Sequence, residues 1–304
     1  MKRSYVFAGI TVLFWSTLST VAKITMENIP SLQTLSVGGF LAFGFLLAVN
    51  LATGRLKKAA DYAPEDYLKM AGLGFLGLFL YSALYYYGLS QLSAQTACIV
   101  NYLWPIMLVL FSCLLLHEKM TPLKMTALLI SFAGIVVLSL AGPGQDGGNF
   151  AGGVLACLAA AACYGLFSVL NKMAAYDQNI CMMVFWLIVG ICALLAGKAA
   201  GQWSAIPAAS WPGLIWMGFA VNAAAYLFWA LAVNGESQTA GISNIAYLTP
   251  VLSVVLSGIV LHEKISGGTL AAFLLIIGGI FFQALDQARE KKYNKEGEAY
   301  GRDK

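Results

Sequence analysis

Apolar residues along this chain come in long unbroken runs, separated by short polar breaks. Ten runs have the length and greasiness of a membrane span: 5–23, 33–53, 68–88, 95–116, 123–141, 152–172, 180–200, 211–233, 238–261 and 268–286. A span needs about 20 mainly apolar residues. Backbone in lipid must satisfy its own hydrogen bonds, so runs of this length predict helices, and short alternating strands of the barrel type are not seen. The fold class is therefore all-α and integral to a membrane, with ten transmembrane helices. Connections such as 89–94, 117–122 and 234–237 leave no room for a soluble domain. Residues 287–304 read as a charged, disordered tail. Met1-Lys2-Arg3 ahead of an apolar stretch has the look of a signal peptide. No small-x-small cleavage site follows cleanly and many spans do, so the stretch is read as the first membrane helix.

Composition agrees with this pattern. Hydrophobic residues make up 60% of the 304 and charged residues 11%, where soluble domains carry about 25% charge. The net charge of +4 sits in loops and ends and forms no stripe, so it points to lipid headgroups and not to nucleic acid. The six cysteines fall inside apolar runs without metal-like or CxxC spacing and read as small packing residues. With the N-terminus in the cytoplasm, fifteen Lys and Arg lie inside and only Lys23, Lys198 and Lys264 outside. Positive residues favour the cytoplasmic side, so both termini are expected there.

A repeat of about 145 residues runs through the chain. Gln95-Thr96-Ala97-Cys98-Ile99 returns as Gln238-Thr239-Ala240-Gly241-Ile242. Leu103-Trp104-Pro105-Ile106 returns as Leu248-Thr249-Pro250-Val251. Leu116-His117-Glu118-Lys119 returns unchanged as Leu261-His262-Glu263-Lys264, and Trp15 through Lys23 aligns with Tyr164 through Lys172. Each copy holds five spans, an odd number, so the halves 1–141 and 142–286 are expected to insert with opposite orientation. Inverted repeats of this kind are typical of secondary transporters, with the substrate site between the halves near mid-membrane.

The chain resembles the drug/metabolite transporter superfamily, in its ten-helix EamA-type family. The resemblance rests on Phe14-Trp15-Ser16-Thr17 at the start of the first helix, the two x-Pro-hydrophobic kinks, and acidic caps at Glu118 and Glu263. Val100-Asn101-Tyr102-Leu103-Trp104-Pro105, Tyr247-Leu248-Thr249-Pro250-Val251-Leu252-Ser253 and Asn171-Lys172 look like the bacterial aromatic amino-acid exporter branch. This resemblance implies efflux of amino acids or related small metabolites across a bacterial inner membrane, with both termini cytoplasmic.

Polar and aromatic residues recur at helical spacing. Trp15, Ser19 and Lys23 share one face, as do Tyr164, Ser168 and Lys172. Tyr81 with Tyr85, Asn101 with Trp104, Asn222 with Tyr226 and Trp229, and Asn244 with Tyr247 make further faces. One reading is hydrogen bonding between helices, worth about 0.6 kcal/mol each. The other is a lined substrate cavity, which the number of such faces favours. Pro105 and Pro250 each lack the N–H that would bond four residues back. They are expected to free the carbonyls of Asn101 and Ala246, for a substrate ammonium or simply as packing kinks. Lys23 and Lys172 occupy matching helix ends, as anchors or as a gate. A charge at a helix centre would cost about 2.5–3.5 kcal/mol, and none is found there. His117-Glu118-Lys119 and His262-Glu263-Lys264 read as interfacial caps.

No phosphate loop, nucleophile elbow, dinucleotide fingerprint or HExxH is present, so neither enzyme, cofactor nor metal is expected. Gly72-Leu73-Gly74-Phe75-Leu76-Gly77 sits within a span, where small residues let helices approach. The reading is a secondary transporter that exports amino acids, aromatic ones among them, by alternating access around a central cavity. Efflux of other neutral or cationic metabolites or drugs, and a receptor or scaffold without flux, are the rival readings. Expected partners are the small-molecule substrate and the lipid bilayer; the sequence does not decide between monomer and homodimer.

Overall fold

The structure is a computed structural model that describes residues 2–142, 148–174, 176–233, 245–246 and 248–302. Nine helices among these are long and apolar enough to cross a membrane: α1 (Arg3–Met26), α2 (Ser31–Ala52), α3 (Pro64–Gln91), α4 (Ala94–Leu115), α5 (Pro122–Ala141), α6 (Phe150–Met173), α7 (Gln178–Ala199), α8 (Ala208–Ala232) and α10 (Gly267–Asp286). Between the last two lies a shorter apolar helix, α9 (Leu248–Val260). The first part of the expected span 238–261 lies outside the described residues, and with it Gln238 through Ile242 of the repeat.

Local chemistry starts and stops these helices. Ser93, Thr121 and Asn149 accept the backbone N–H groups of Thr96, Lys124 and Gly152, capping α4, α5 and α6. Pro122 stands in the first turn of α5, where its missing N–H costs nothing. After α4 and α9 the chain turns through His117 and His262, whose φ values of 53° and 54° are left-handed. That conformation ends a helix, and its use by histidine at both repeat positions is uncommon outside glycine and Asn.

Apolar side chains cover the outside of the bundle, and polar ones are buried within its apolar core. Leu140, Leu68 and Ile259 project outward as exposed side chains, whereas Ser19, Asn101, Asn222 and Ser253 are buried. Helix α10 packs along α5, α7 along α2, α6 against α3 and α4, and α1 against α8 and α9. Glycines set the closest approaches. A Cβ on Gly39 of α2 would fall 2.9 Å from the Gly190 backbone of α7, and one on Gly74 of α3 would fall 2.9 Å from the Phe185 backbone. Gly77 opposes the Phe167 ring of α6. Without a hydrophobic drive between helices in lipid, such close packing is the main source of association.

Two features differ from the sequence expectation. Helix α10 does not stop at residue 286; the same helix continues to Arg302. Its extension is rich in Ala, Glu, Lys and Arg, which are strong helix formers, and extending an existing helix avoids the cost of nucleation. Helices α3 and α8 also carry π-helical stretches, Phe75–Leu80 and Trp216–Ala224, which a 3.6-residue periodicity does not reveal.

Side chains tie the bundle ends together. At one end Lys58 pairs with Asp177 at 2.8 Å. Partial burial works against the charge on Asp177, but the Lys58 ammonium and the Asn179 N–H outweigh it and hold its carboxyl below the usual carboxylate range. At this end too, buried Lys124 lies 3.6 Å from Glu118 and 3.9 Å from buried Asp286, and Asp286 accepts the Thr121 hydroxyl at 2.7 Å. At the other end Glu263 receives the backbone N–H of Ala94 on one carboxylate oxygen at 2.7 Å and that of Gln95 on the other at 3.0 Å. Glu263 thus sits at the start of α4, whereas Glu118 follows its end.

A candidate substrate cavity

A cavity of about 320 Å³ opens in the middle of the bundle, walled by α1, α3, α4, α6, α7, α8 and α9. That volume is within the range of small-ligand pockets, about 300–1,000 Å³. Its lining reaches Asn171 and exposed Gln178, so its mouth faces the Lys58–Asp177 end.

Breaks in the helices bring its residues together. Helix α1 tightens at Thr17, whose N–H bonds the Phe14 carbonyl three residues back at 3.2 Å. The Ser16 and Thr17 hydroxyls donate to the carbonyls of Leu13 and Phe14 at 2.8 and 2.7 Å, a pattern that bends helices. Trp15 and Ser19, on either side of this turn, both line the cavity. Helix α4 is interrupted at Tyr102-Leu103, between segments Ala94–Asn101 and Trp104–Leu115. Pro105 has no N–H to return to Asn101, and the break places Asn101 and Trp104 at the cavity. Pro250 behaves differently from expectation. The Ala246 carbonyl is not free, because the Thr249 N–H fills it at 3.1 Å. A three-residue turn ahead of the proline takes up the acceptor.

The walls are aromatic. Tyr81 and Tyr85 stack 6.1 Å apart, Tyr164 lies 4.9 Å from Tyr81 and 5.1 Å from Trp104, and Trp15 touches Tyr226 and Trp229 at 5.3 and 5.7 Å. The Asn101 amide N–H donates to the Tyr81 hydroxyl at 3.1 Å. Asn222 is buried on the π-helical stretch of α8 and lines the same space. Ser168 lines it too, but its hydroxyl is turned to the Tyr164 carbonyl of its own helix. Asn244 and Tyr247 lie outside the described residues. Among the described lining residues none carries a formal charge.

Sequence spacing missed several members, among them Ser82, Cys98, Tyr102, Met182, Trp186 and Ser253. Ser253 is placed by α9: its hydroxyl lies 3.1 Å from that of Ser19 and donates to the Ser16 carbonyl at 2.9 Å. The match of Leu248-Thr249-Pro250 to Leu103-Trp104-Pro105 pointed to this segment without singling out the serine.

The paired lysines are not alike. The Lys23 ammonium donates to the carbonyls of Leu89 and Leu92 at the end of α3, a position where a cation is favoured. Lys172 is exposed in the last turn of α6. Beyond Ser19 and Ser253, toward the Glu263 end, the Gln95 amide donates to the Val254 carbonyl at 3.3 Å. The cavity is therefore closed by α1, α4 and α9 on that side.

Comparison with known proteins decides the family. Two stretches, residues 2–140 and 151–285, match the model of the EamA-like transporter family. The chain belongs to this family. An EamA-like transporter moves small molecules across a membrane, and the chain is accordingly a multi-pass membrane transporter and not an enzyme. Among relatives, it is 29% identical over 284 residues to the uncharacterized transporter YvbV of Bacillus subtilis, covering 91% of this chain and 90% of that one. It is 28% identical over 291 residues to the aromatic amino acid exporter YddG of Ancylobacter novellus, covering 91% and 96%. A solved crystal structure of a protein 24% identical in sequence shares the fold with a TM-score of 0.68, over 93% of this EamA chain and 96% of the other.

Proposed function

We propose that the chain exports aromatic amino acids, taken as zwitterions, across a bacterial inner membrane. The observation that carries this reading is the cavity: aromatic on its walls, polar at Asn101 and Asn222, and without formal charge among its described lining residues. Stacking and cation–π contact suit an aromatic body with an ammonium group. The similarity to an aromatic amino acid exporter over nearly the whole chain supports the same substrate class. In this reading the halves 1–141 and 142–286 are inverted with five spans each, and the 287–304 tail and the N-terminus lie in the cytoplasm; the two family matches support the division, and the excess of Lys and Arg supports the orientation. The mouth at Gln178 then faces the cytoplasm, where an exporter loads.

Counterflow in proteoliposomes tests the substrate. Liposomes filled with unlabelled Phe, Tyr or Trp are expected to accumulate labelled Phe transiently, whereas those filled with Lys or Thr are not. Equal counterflow with Lys would favour a cationic metabolite instead, and no flux with any solute would favour a receptor or scaffold. Topology has its own check. Single cysteines at positions 119 and 264 on a cysteine-free background are expected to react with an impermeant thiol reagent from opposite faces, and reaction of both from one face would rule out the inverted arrangement.

A further inference from the structure

Trp186 of α7 is 3% exposed, lines the cavity, and its indole Nε1–H has no protein partner. The Oδ1 atoms of Asn101, which is 5% exposed, and of Asn171 are likewise unpartnered and line the same space. An indole N–H can only donate, and an amide oxygen can only accept. A buried polar atom left without a partner costs about 1–3 kcal/mol, so such atoms are kept where something completes them. Aromatic rings stand beside both Asn101 and Trp186. Asn101 holds Tyr81, Tyr81 meets Tyr164, and beyond the Trp15–Tyr226 pair Trp186 lies 6.4 Å from Tyr226. The cavity thus offers an acceptor at Asn101 and a donor at Trp186, each beside aromatic surface.

We infer that Trp186 is a substrate-binding residue: its Nε1–H donates to the substrate carboxylate, while Asn101 Oδ1 accepts from the ammonium. The inference rests on the amino-acid reading above and adds to it which neutral group meets which charged one. Neutral dipoles bind a zwitterion without leaving a net charge in the membrane when the site is empty. The carboxylate and ammonium of the substrate would give these two groups charge-assisted bonds.

The test is equilibrium binding to the purified full-length protein in nanodiscs, with three probes: phenylalanine, phenethylamine, which lacks the carboxylate, and 3-phenylpropionate, which lacks the ammonium. Trp186→Phe keeps a ring and removes the donor. It is expected to weaken phenylalanine and 3-phenylpropionate by about ten- to a hundredfold, the worth of a hydrogen bond to a charged group, and to leave phenethylamine within about twofold. Trp186→His, which retains an N–H, is expected to recover much of that loss. Asn101→Leu is expected to show the converse, weakening phenylalanine and phenethylamine but not 3-phenylpropionate, and it stands as an independent arm should the Trp186 variants fail to fold. Equal weakening of all three probes by Trp186→Phe would make Trp186 a packing residue and overturn the assignment while leaving the amino-acid reading intact. Failure of the unaltered protein to bind phenylalanine would overturn both.

Discussion

Replacing Glu263 with alanine is expected to open the closed end of the cavity. Both of its carboxylate oxygens hold N–H groups in the first turn of α4, where the helix dipole favours a negative charge. Its neighbour Gln95 reaches Val254 in the middle of α9, so the same turn of α4 is fastened both to α9 and to the segment that follows it. Hydrogen bonds to a charged group contribute about 1.5–3 kcal/mol each, and loss of even one shifts an opening equilibrium by about tenfold or more. Cys98 supplies the reporter, being buried and part of the cavity lining. With the other five cysteines replaced, modification of Cys98 by an impermeant methanethiosulfonate applied from the Glu263 side is expected to accelerate about tenfold or more in Glu263→Ala. An unchanged rate, with the protein still folded, would show that the carboxylate caps α4 without holding the two helices together.

The second large effect is on stability. A Cβ at Gly165 of α6 would fall 2.7 Å from the Met107 Cβ, 2.8 Å from the Leu108 backbone nitrogen and 2.9 Å from the Met107 carbonyl carbon. Backbone cannot swing aside as a side-chain tip can, so α4 and α6 must separate along their contact. Overpacking of this kind costs about 1–3 kcal/mol. Gly165→Ala is expected to lower the melting temperature of the detergent-solubilised protein by about 2–10 °C. Gly44→Ala is the comparison, since a Cβ there meets nothing within 4 Å and alanine is the better helix former; it is expected to be neutral or slightly stabilising. Equal melting of the two variants would contradict the close α4–α6 approach.

The spans were legible because lipid demands long apolar runs, and the described helices fall on those runs. The spacing of Trp15 with Ser19, Tyr81 with Tyr85, and Tyr226 with Trp229 was legible too, because helix geometry puts such residues on one face; these residues do line a single cavity. Trp186 was not. It sits in Met182-Met183-Val184-Phe185-Trp186, where every neighbour is apolar and no polar partner marks a face. Only tertiary structure shows that Trp186 faces the cavity while Phe185 packs against Gly74 and Phe167. The π-helical stretches were hidden for a different reason: a widened turn changes the period that the face argument assumes. At Pro250 the missing N–H was read correctly, but a neighbouring turn supplied Thr249 in its place.

The absence of formal charge among the described lining residues of the cavity also has an electrical meaning. Carrying one elementary charge through a potential of 100 mV changes the free energy by about 2.3 kcal/mol. A zwitterion cradled by neutral walls carries none, so the membrane voltage neither drives nor opposes its passage. On the amino-acid reading proposed above, direction is then set by the concentrations on the two sides, and a cell that overproduces the amino acid would lose it through this protein without spending its membrane potential. A monovalent cation in the same cavity would be held back by the negative interior.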